Sequence, residues 1–269
     1  MVRGTRDAAT QRAVTRPVSA EPVTEIAGIG FHDIGPRETV RRIVERGRLG
    51  QAGYVCTPNV DYVVRSQRDP AFRAALLGAD IRVPDGMWVI YGSRLAGRPL
   101  KASVTGRLLP GAVIAEMGDR QLPMALFGGP PGVAERAAGR LRAAGAVLVD
   151  AFGPSMRFVI GSDEDAGAVA RIRESGARIV FVGLGAPKQE QWMLRHRDEL
   201  DAVLVGIGAG LDVLAGRMRE APRWMTRIGA EWIFRLAQEP RRLGRRYLVD
   251  DPRFLWWMLR ERFSRSERR

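Results

Sequence analysis

The sequence predicts an α/β fold, a mainly parallel sheet with helices on both faces, followed by a helical C-terminal appendage. Three observations carry this. From Ile26 to about Leu214, short apolar runs alternate with amphipathic stretches of helical length, the pattern of strands joined by crossover helices. From Gly216 to Arg269 that alternation stops, and only helical patterns rich in Arg and Trp remain. The chain has 269 residues, 45% hydrophobic and 27% charged, enough to bury a sizeable core and too apolar for wholesale disorder.

In chain order, residues 1–22 mix Arg, Thr, Ala, Pro and Gln without periodicity and read as a disordered arm. A strand over Ile26–Phe31 and a helix over Glu38–Arg46 follow. Next come strands Tyr54–Thr57 and Ile81–Val83, with a helix over Pro70–Leu77 between them. Strand Met124–Phe127, helix Val133–Ala144 and strand Ala146–Val149 form the middle of the chain. Helix Glu164–Ser175, strand Ile179–Val182, helix Lys188–Asp198 and strand Val203–Ile207 complete the alternation. The expected organisation is therefore an arm (1–22), an α/β core (23–215) and an appendage (216–269).

Composition excludes several classes. The longest apolar runs are far short of the roughly 20 residues that cross a bilayer, and no apolar segment follows the N-terminal arginines as a signal peptide requires. One cysteine, Cys56, excludes a disulfide framework and a cysteine-based metal cluster. Two histidines, His32 and His196, argue against a multi-histidine metal site. The net charge is +13, carried almost wholly by arginine because Lys101 and Lys188 are the only lysines. Either an Arg-biased composition or an anionic partner accounts for that sum, so its location matters more. Residues 216–269 hold fifteen arginines against seven acids, a net +8, together with Trp224, Trp232, Trp256 and Trp257. Arginine interleaved with Trp suits a lipid headgroup region; a helical subdomain packing its aromatics on the core fits equally.

Several motifs sit at strand ends, where open α/β sheets bind ligands. Thr57-Pro58-Asn59 offers two short polar side chains for a sugar or phosphate, or Asn59 as a helix N-cap. Pro84-Asp85-Gly86 puts a carboxylate before the apolar Met87, Trp88 and Val89, a setting able to raise its pKa toward general-base duty; capping the next helix is the alternative. Glycine loops at Gly128-Gly129-Pro130-Pro131-Gly132, Gly183-Leu184-Gly185-Ala186-Pro187-Lys188-Gln189-Glu190 and Gly206-Ile207-Gly208-Ala209-Gly210 can turn backbone N–H groups toward phosphate. None fits the dinucleotide fingerprint or the P-loop. Asp163-Glu164-Asp165 has the spacing of a divalent-cation motif but also opens a helix that Ser162 can cap.

Taken together, these motifs, with Val104-Thr105-Gly106 and the Glu231–Arg242 segment, resemble the WecG/TagA/CpsF family of bacterial glycosyltransferases from about Gly28 to Tyr247. The resemblance implies a Rossmann-like core and a membrane-engaging appendage. It also implies transfer, with inversion, from a UDP-sugar donor to a polyprenyl-diphosphate-linked acceptor at the cytoplasmic membrane face, with no cofactor. By resemblance Asp85 is the general base, with Thr57 beside it. Asn59, Thr105, Gly128, Gly129, Gly185, Lys188, Gln189 and Glu190 then line the substrate pocket, and Arg235, Arg242 and Arg245 reach the diphosphate. One region departs: Ser103 and Leu108 stand where the family commonly has Arg and Asp, so that Lys101 or Arg107 would supply the cation. A basic nucleic-acid-binding protein rests on charge alone, without a recognition motif, and no nucleic-acid partner is expected. A nucleotide-sugar-binding regulator lacking catalysis is the other alternative.

Overall fold

The computed structural model describes residues 23–218, 221–222, 225, 231–238, 240, 244 and 251–266. The expected arm, Arg242 and Arg245 lie outside the described residues, as does the side chain of Arg235. The chain opens with a hairpin, β1 (Val23–Ile26) and β2 (Ile29–His32), antiparallel and separate from the main sheet. A single strand over Ile26–Phe31 was expected. Ala27 and Gly28 instead take left-handed φ values of 49° and 74° and reverse the chain there, as a two-residue hairpin turn requires.

The elements that follow are α1 (Pro36–Arg48), β3 (Gly53–Cys56), α2 (Val60–Ser66), α3 (Pro70–Leu77), β4 (Ile81–Arg82) and α4 (Met87–Leu95). After a short turn of 3-10 helix at Gly106–Leu108 come α5 (Leu109–Met117), β5 (Met124–Gly128), α6 (Val133–Ala143) and β6 (Leu148–Phe152). Then follow α7 (Asp163–Glu174), β7 (Ile179–Gly183), α8 (Lys188–His196), β8 (Val203–Gly206) and α9 (Gly210–Leu214), with α10 (Glu231–Gln238) and α11 (Asp251–Ser266) beyond them. The six strands β3–β8 form one sheet in the order β4-β3-β8-β7-β5-β6, and every pairing is parallel.

Two hydrophobic cores flank this sheet, and the period-2 alternation of each strand divides its side chains between them. Tyr54, Cys56, Phe127, Val180, Val182 and Leu204 meet Val63, Phe72 and Leu76 of α2 and α3, Ile172 of α7 and Trp192 of α8. On the other face Val55, Leu126, Ile179, Phe181 and Val205 meet Val40 and Ile43 of α1, Val113 of α5 and Leu141 of α6. Central strands buried on both faces are continuously apolar, which is why β7 and β8 are plain in the sequence.

The last helix belongs to the first of these cores. Phe254 and Met258 of α11 are fully buried against it, and Gly92 of α4 lets the Phe254 ring settle on the helix backbone. Part of the appendage thus packs its aromatics on the core. The opposite side of α11 carries Trp256 (56% exposed), Leu259 and Phe263 (66% exposed), with exposed Arg253, Arg260 and Arg262 around them. Among the described residues no helix is long and apolar enough to cross a membrane.

Candidate active site

All six strands are parallel, so the loops after their carboxyl ends share one edge. Across that edge they run from Asp85 after β4, through Thr57 and Asn59 after β3, to the glycines after β8, β7 and β5. From β5 the chain moves outward to β6, whereas from β7 it moves the opposite way to β8. The crevice between β5 and β7 is therefore the topological switch point, where doubly wound sheets open a binding cleft. A cleft of about 300 Å³ lies there, walled by Gly129, Gly183, Gly185, Lys188, Gly208 and the Pro154–Phe158 loop.

The glycines of this cleft differ in what they do. A Cβ on Gly128 would stand 2.5 Å from the Gly183 carbonyl carbon, so Gly128 permits the close approach of β5 and β7. Gly129 donates its N–H to the Gly183 carbonyl at 2.9 Å. That N–H, expected to turn toward phosphate, instead extends the sheet pairing while Gly129 still borders the cleft. Gly185 has φ 74° and open space beside its Cα, leaving room for a ligand at the start of α8. Lys188, in the first turn of α8, donates its Nζ to the Phe158 carbonyl at 2.8 Å and ties the loop after β6 to the cleft wall.

At the other end of the edge, the turn bearing Asp85 is held from three sides. Its own N–H bonds the Pro58 carbonyl at 3.0 Å, and the Pro84 carbonyl accepts from Val104 N–H at 2.7 Å. Ser103 Oγ accepts from Gly86 N–H at 2.7 Å. Ser103, a departure from the resembled pattern, thus pins the residue next to Asp85. The N-cap position of α4 is held by Gly86, one residue after Asp85, with no side-chain cap bond from it. Asn59 caps α2: its side chain accepts from Tyr62 N–H at 3.4 Å. Thr57 and Asn59 are half-buried, and a Cβ on Gly106 would stand 2.6 Å from Thr57 Oγ1. The half-buried Thr105 stands at the N-cap position of the 3-10 turn that delivers Gly106, without a side-chain cap bond. Leu108 is exposed. Of the two candidate cations, Lys101 is 76% exposed and pairs with Asp33 at 3.5 Å, on a different surface. The backbone of Arg107 packs on Gly210, beside the β8 glycine loop.

Between the two ends runs a chain of hydrogen bonds. Gln189 accepts from Gly208 N–H through Oε1 at 2.9 Å and donates through Nε2 to Glu190 Oε1 at 2.7 Å. Tyr62 Oη donates to the same Glu190 oxygen at 3.0 Å. Gly206 has no side chain, which leaves the Gln189 amide its place against β8. Burial pushes the Glu190 carboxyl up to about 7, against the opposing pull first of its own backbone N–H, then of its Gln189 and Tyr62 bonds and of Arg65. Burial, then the Glu190 and Cys56 charges, hold the Tyr62 phenol well above its usual value, and Asp85 adds to the effect. Tyr62 thus lies within electrostatic reach of both carboxylates.

The sequence from residue 24 to residue 268 matches the family described as Glycosyl transferase WecG/TagA/CpsF. The chain belongs to this family. It is a glycosyltransferase of cell-surface polysaccharide synthesis. Membership of the family implies in general a nucleotide-sugar donor and a lipid-linked acceptor, and the sheet edge carries a cleft and a carboxylate. Sequence reasoning missed Tyr62 and the structural duty of Ser103. Tyr62 is 128 residues from Glu190, and no local pattern announces such a pair. The Asp163-Glu164-Asp165 triplet opens α7, with Ser162 capping it. Asp165 is buried and accepts from Gly161 N–H, Trp192 Nε1 and His196 Nε2, while Glu164 accepts from Ser155.

Proposed function

We propose that this glycosyltransferase moves a hexose, of N-acetylmannosamine type or a relative, from a UDP-sugar to a polyprenyl-diphosphate-linked sugar. The transfer inverts the anomeric carbon and uses no metal ion. One observation carries the reading: Asp85 stands on a turn held by three hydrogen bonds, on the same sheet edge as the switch-point cleft. Strands lie about 4.8 Å apart, so β4 and β7, three places apart in the sheet, put roughly 14 Å between the two ends of the site. A nucleotide sugar laid across the strand ends would place its diphosphate near the first turn of α8, where helix N-termini favour anions. Its sugar would then reach Thr57 and Asp85.

In the reaction Asp85 takes the proton of the acceptor hydroxyl as that oxygen forms its bond to the anomeric carbon. The bond from that carbon to the diphosphate oxygen breaks on the opposite face, and UDP leaves with the electron pair. Base assistance of this kind is worth about 10²–10⁴-fold. Negative charge grows on the leaving diphosphate, and Arg235, Arg242 and Arg245 would stabilise it as guanidinium groups. The outward Trp256, Leu259 and Phe263, with arginines around them, support a peripheral seat for α11 at headgroup level on the cytoplasmic membrane face.

The test is UDP release across a panel of UDP-sugars, with a short-chain lipid diphosphate-GlcNAc acceptor. Asp85→Asn should lower turnover by about two orders of magnitude or more with the unfolding midpoint unchanged. Near-normal turnover would remove Asp85 from its role. EDTA should leave the rate unchanged, and a loss restored by Mg²⁺ or Mn²⁺ would defeat the metal-free reading. UDP binding without transfer to any lipid acceptor would make the protein a nucleotide-sugar-binding regulator instead.

A further inference from the structure

We infer that Glu190 is a positioning residue, whose ionised carboxylate holds Gln189 and Tyr62 between the Asp85 turn and the cleft. The inference rests on the proposed transfer reaction and deepens it. Glu190 has no exposed surface, so it does not reach a substrate, contrary to the substrate-binding place expected for it. It acts on the groups around it. Its Oε1 receives both the Gln189 amide at 2.7 Å and the Tyr62 hydroxyl at 3.0 Å. Gln189 then has its Oε1 on Gly208 N–H at 2.9 Å, and Gly208 lines the cleft. One carboxylate oxygen therefore fixes which way the Gln189 amide faces the donor side and where the Tyr62 hydroxyl stands on the base side.

The ionised form does this holding. Two donors converge on Oε1, and hydrogen bonds to a charged acceptor are roughly twice as strong as neutral ones. The other oxygen, Oε2, is buried and has no hydrogen-bond partner among the described residues. A proton placed there leaves Oε1 accepting both bonds as the oxygen of a neutral acid, and so holding them more weakly. The titratable and charged groups facing this carboxyl are Tyr62 and Arg65 from α2 and Cys56 from β3. Asp85 acts on Tyr62 from the turn before α4. Burial raises the carboxyl to about 7, which puts the loss of its charge inside the working pH range.

The experiment measures kcat against pH at saturating UDP-sugar for the unsubstituted protein, E190Q and Y62F. The Glu190 carboxyl is followed in parallel by NMR of [¹³C]Glu-labelled protein. In the unsubstituted protein kcat should fall below a midpoint near 7, and the carboxyl carbon should titrate at that same midpoint. E190Q should lose this limb and turn over about tenfold more slowly at pH 8, with donor KM within about twofold. Y62F keeps the ring packed on Phe72 but removes one donor to the carboxylate, so its limb should move upward. An unchanged limb in both variants, or a rise in KM with kcat intact, would overturn the inference. Failure of the unsubstituted protein to transfer any sugar would instead defeat the enzymatic reading, so the two failures are distinguishable. Should E190Q not fold, the direction of the Y62F shift decides the matter alone.

Discussion

Replacing Asp165 by Ala separates a structural carboxylate from a metal ligand. Asp165 is 1% exposed and accepts three hydrogen bonds: from Gly161 N–H at 2.6 Å, Trp192 Nε1 at 2.7 Å and His196 Nε2 at 3.0 Å. Trp192 is fully buried and His196 is 4% exposed, so water does not readily replace the acceptor that the Trp192 indole would lose. A buried donor left without a partner costs about 1–3 kcal/mol. Two of the three donors, on Trp192 and His196, are buried in this way, while Gly161 is exposed; the two share one carboxylate and are not additive, which puts the expected loss at roughly 2–4 kcal/mol. The second His196 nitrogen contacts Glu199 Oε1 at 2.9 Å, so the ring sits between two carboxylates and losing one unbalances it. Urea unfolding measures the loss, and UDP release with and without added Mn²⁺ measures function. Suppose instead that Asp165→Ala unfolded within about 1 kcal/mol of the unsubstituted protein and lost an activity that excess Mn²⁺ restored. The triplet would then be a cation site, and the reading of it as the capped start of α7 would be refuted.

Two further outcomes follow from the packing. Gly92→Ala should lower the unfolding temperature by roughly 2–6 °C, because the added methyl would stand 2.6 Å from Phe254 Cζ. If α11 were a loose tail, the same substitution would raise stability through the better helix propensity of Ala, worth about 1 kcal/mol, so the sign of the shift in a thermal melt decides. Glu190→Gln should be more stable than the unsubstituted protein at pH 8 and no different at pH 4. The folded-state carboxyl is raised from 4.5 to about 7, so its protonated form contributes stability that is present below 4.5 and lost as pH rises through about 7. At 1.36 kcal/mol per unit the gap reaches roughly 3 kcal/mol, and urea midpoints across that range measure it. Equal midpoints at pH 8 would contradict the burial of the charge.

The fold was legible wherever burial on both faces made a strand continuously apolar, as at Val180–Val182 and Val203–Val205, and where a helix had a clear start. The Pro70–Leu77 helix has the expected bounds, and the helix starting at Lys188 ends at His196, two residues short of expectation. Strand β6 was less so. A strand over Ala146–Val149 was expected, but Leu148–Phe152 forms it. As an edge strand it leaves Val149 exposed and runs through Asp150, which pairs with Arg171 at 2.7 Å. Apolarity therefore did not mark its bounds. At the site, position along the chain revealed which residues meet at strand ends, because a parallel sheet gathers them by topology. It did not reveal what each one bonds. Gly128 looked like a phosphate loop and proves to be a contact between strands, and Ser103 looked like a loss and holds the turn beside Asp85.

The helix α4 joins the two halves of the protein. It begins immediately after the Asp85 turn, presents Trp88 to Trp232 of α10 with ring centroids 6.3 Å apart, and seats Phe254 of α11 on Gly92. At 1.5 Å per residue, Gly92 is only about 10 Å along the helix from Asp85. The two appendage helices thus rest on the element whose first turn follows the proposed base, and Arg98 adds an ion pair to Glu261 at 3.7 Å. A packed core transmits displacement because it has few voids to absorb it. A substitution that lifts α11, such as Gly92→Ala, should therefore lower turnover as well as stability, although neither Gly92 nor Phe254 belongs to the strand-end site. If turnover were unchanged in a variant whose melt shows α11 released, the appendage would serve only as an anchor, and the geometry around Asp85 would be the work of the sheet edge and Ser103 alone.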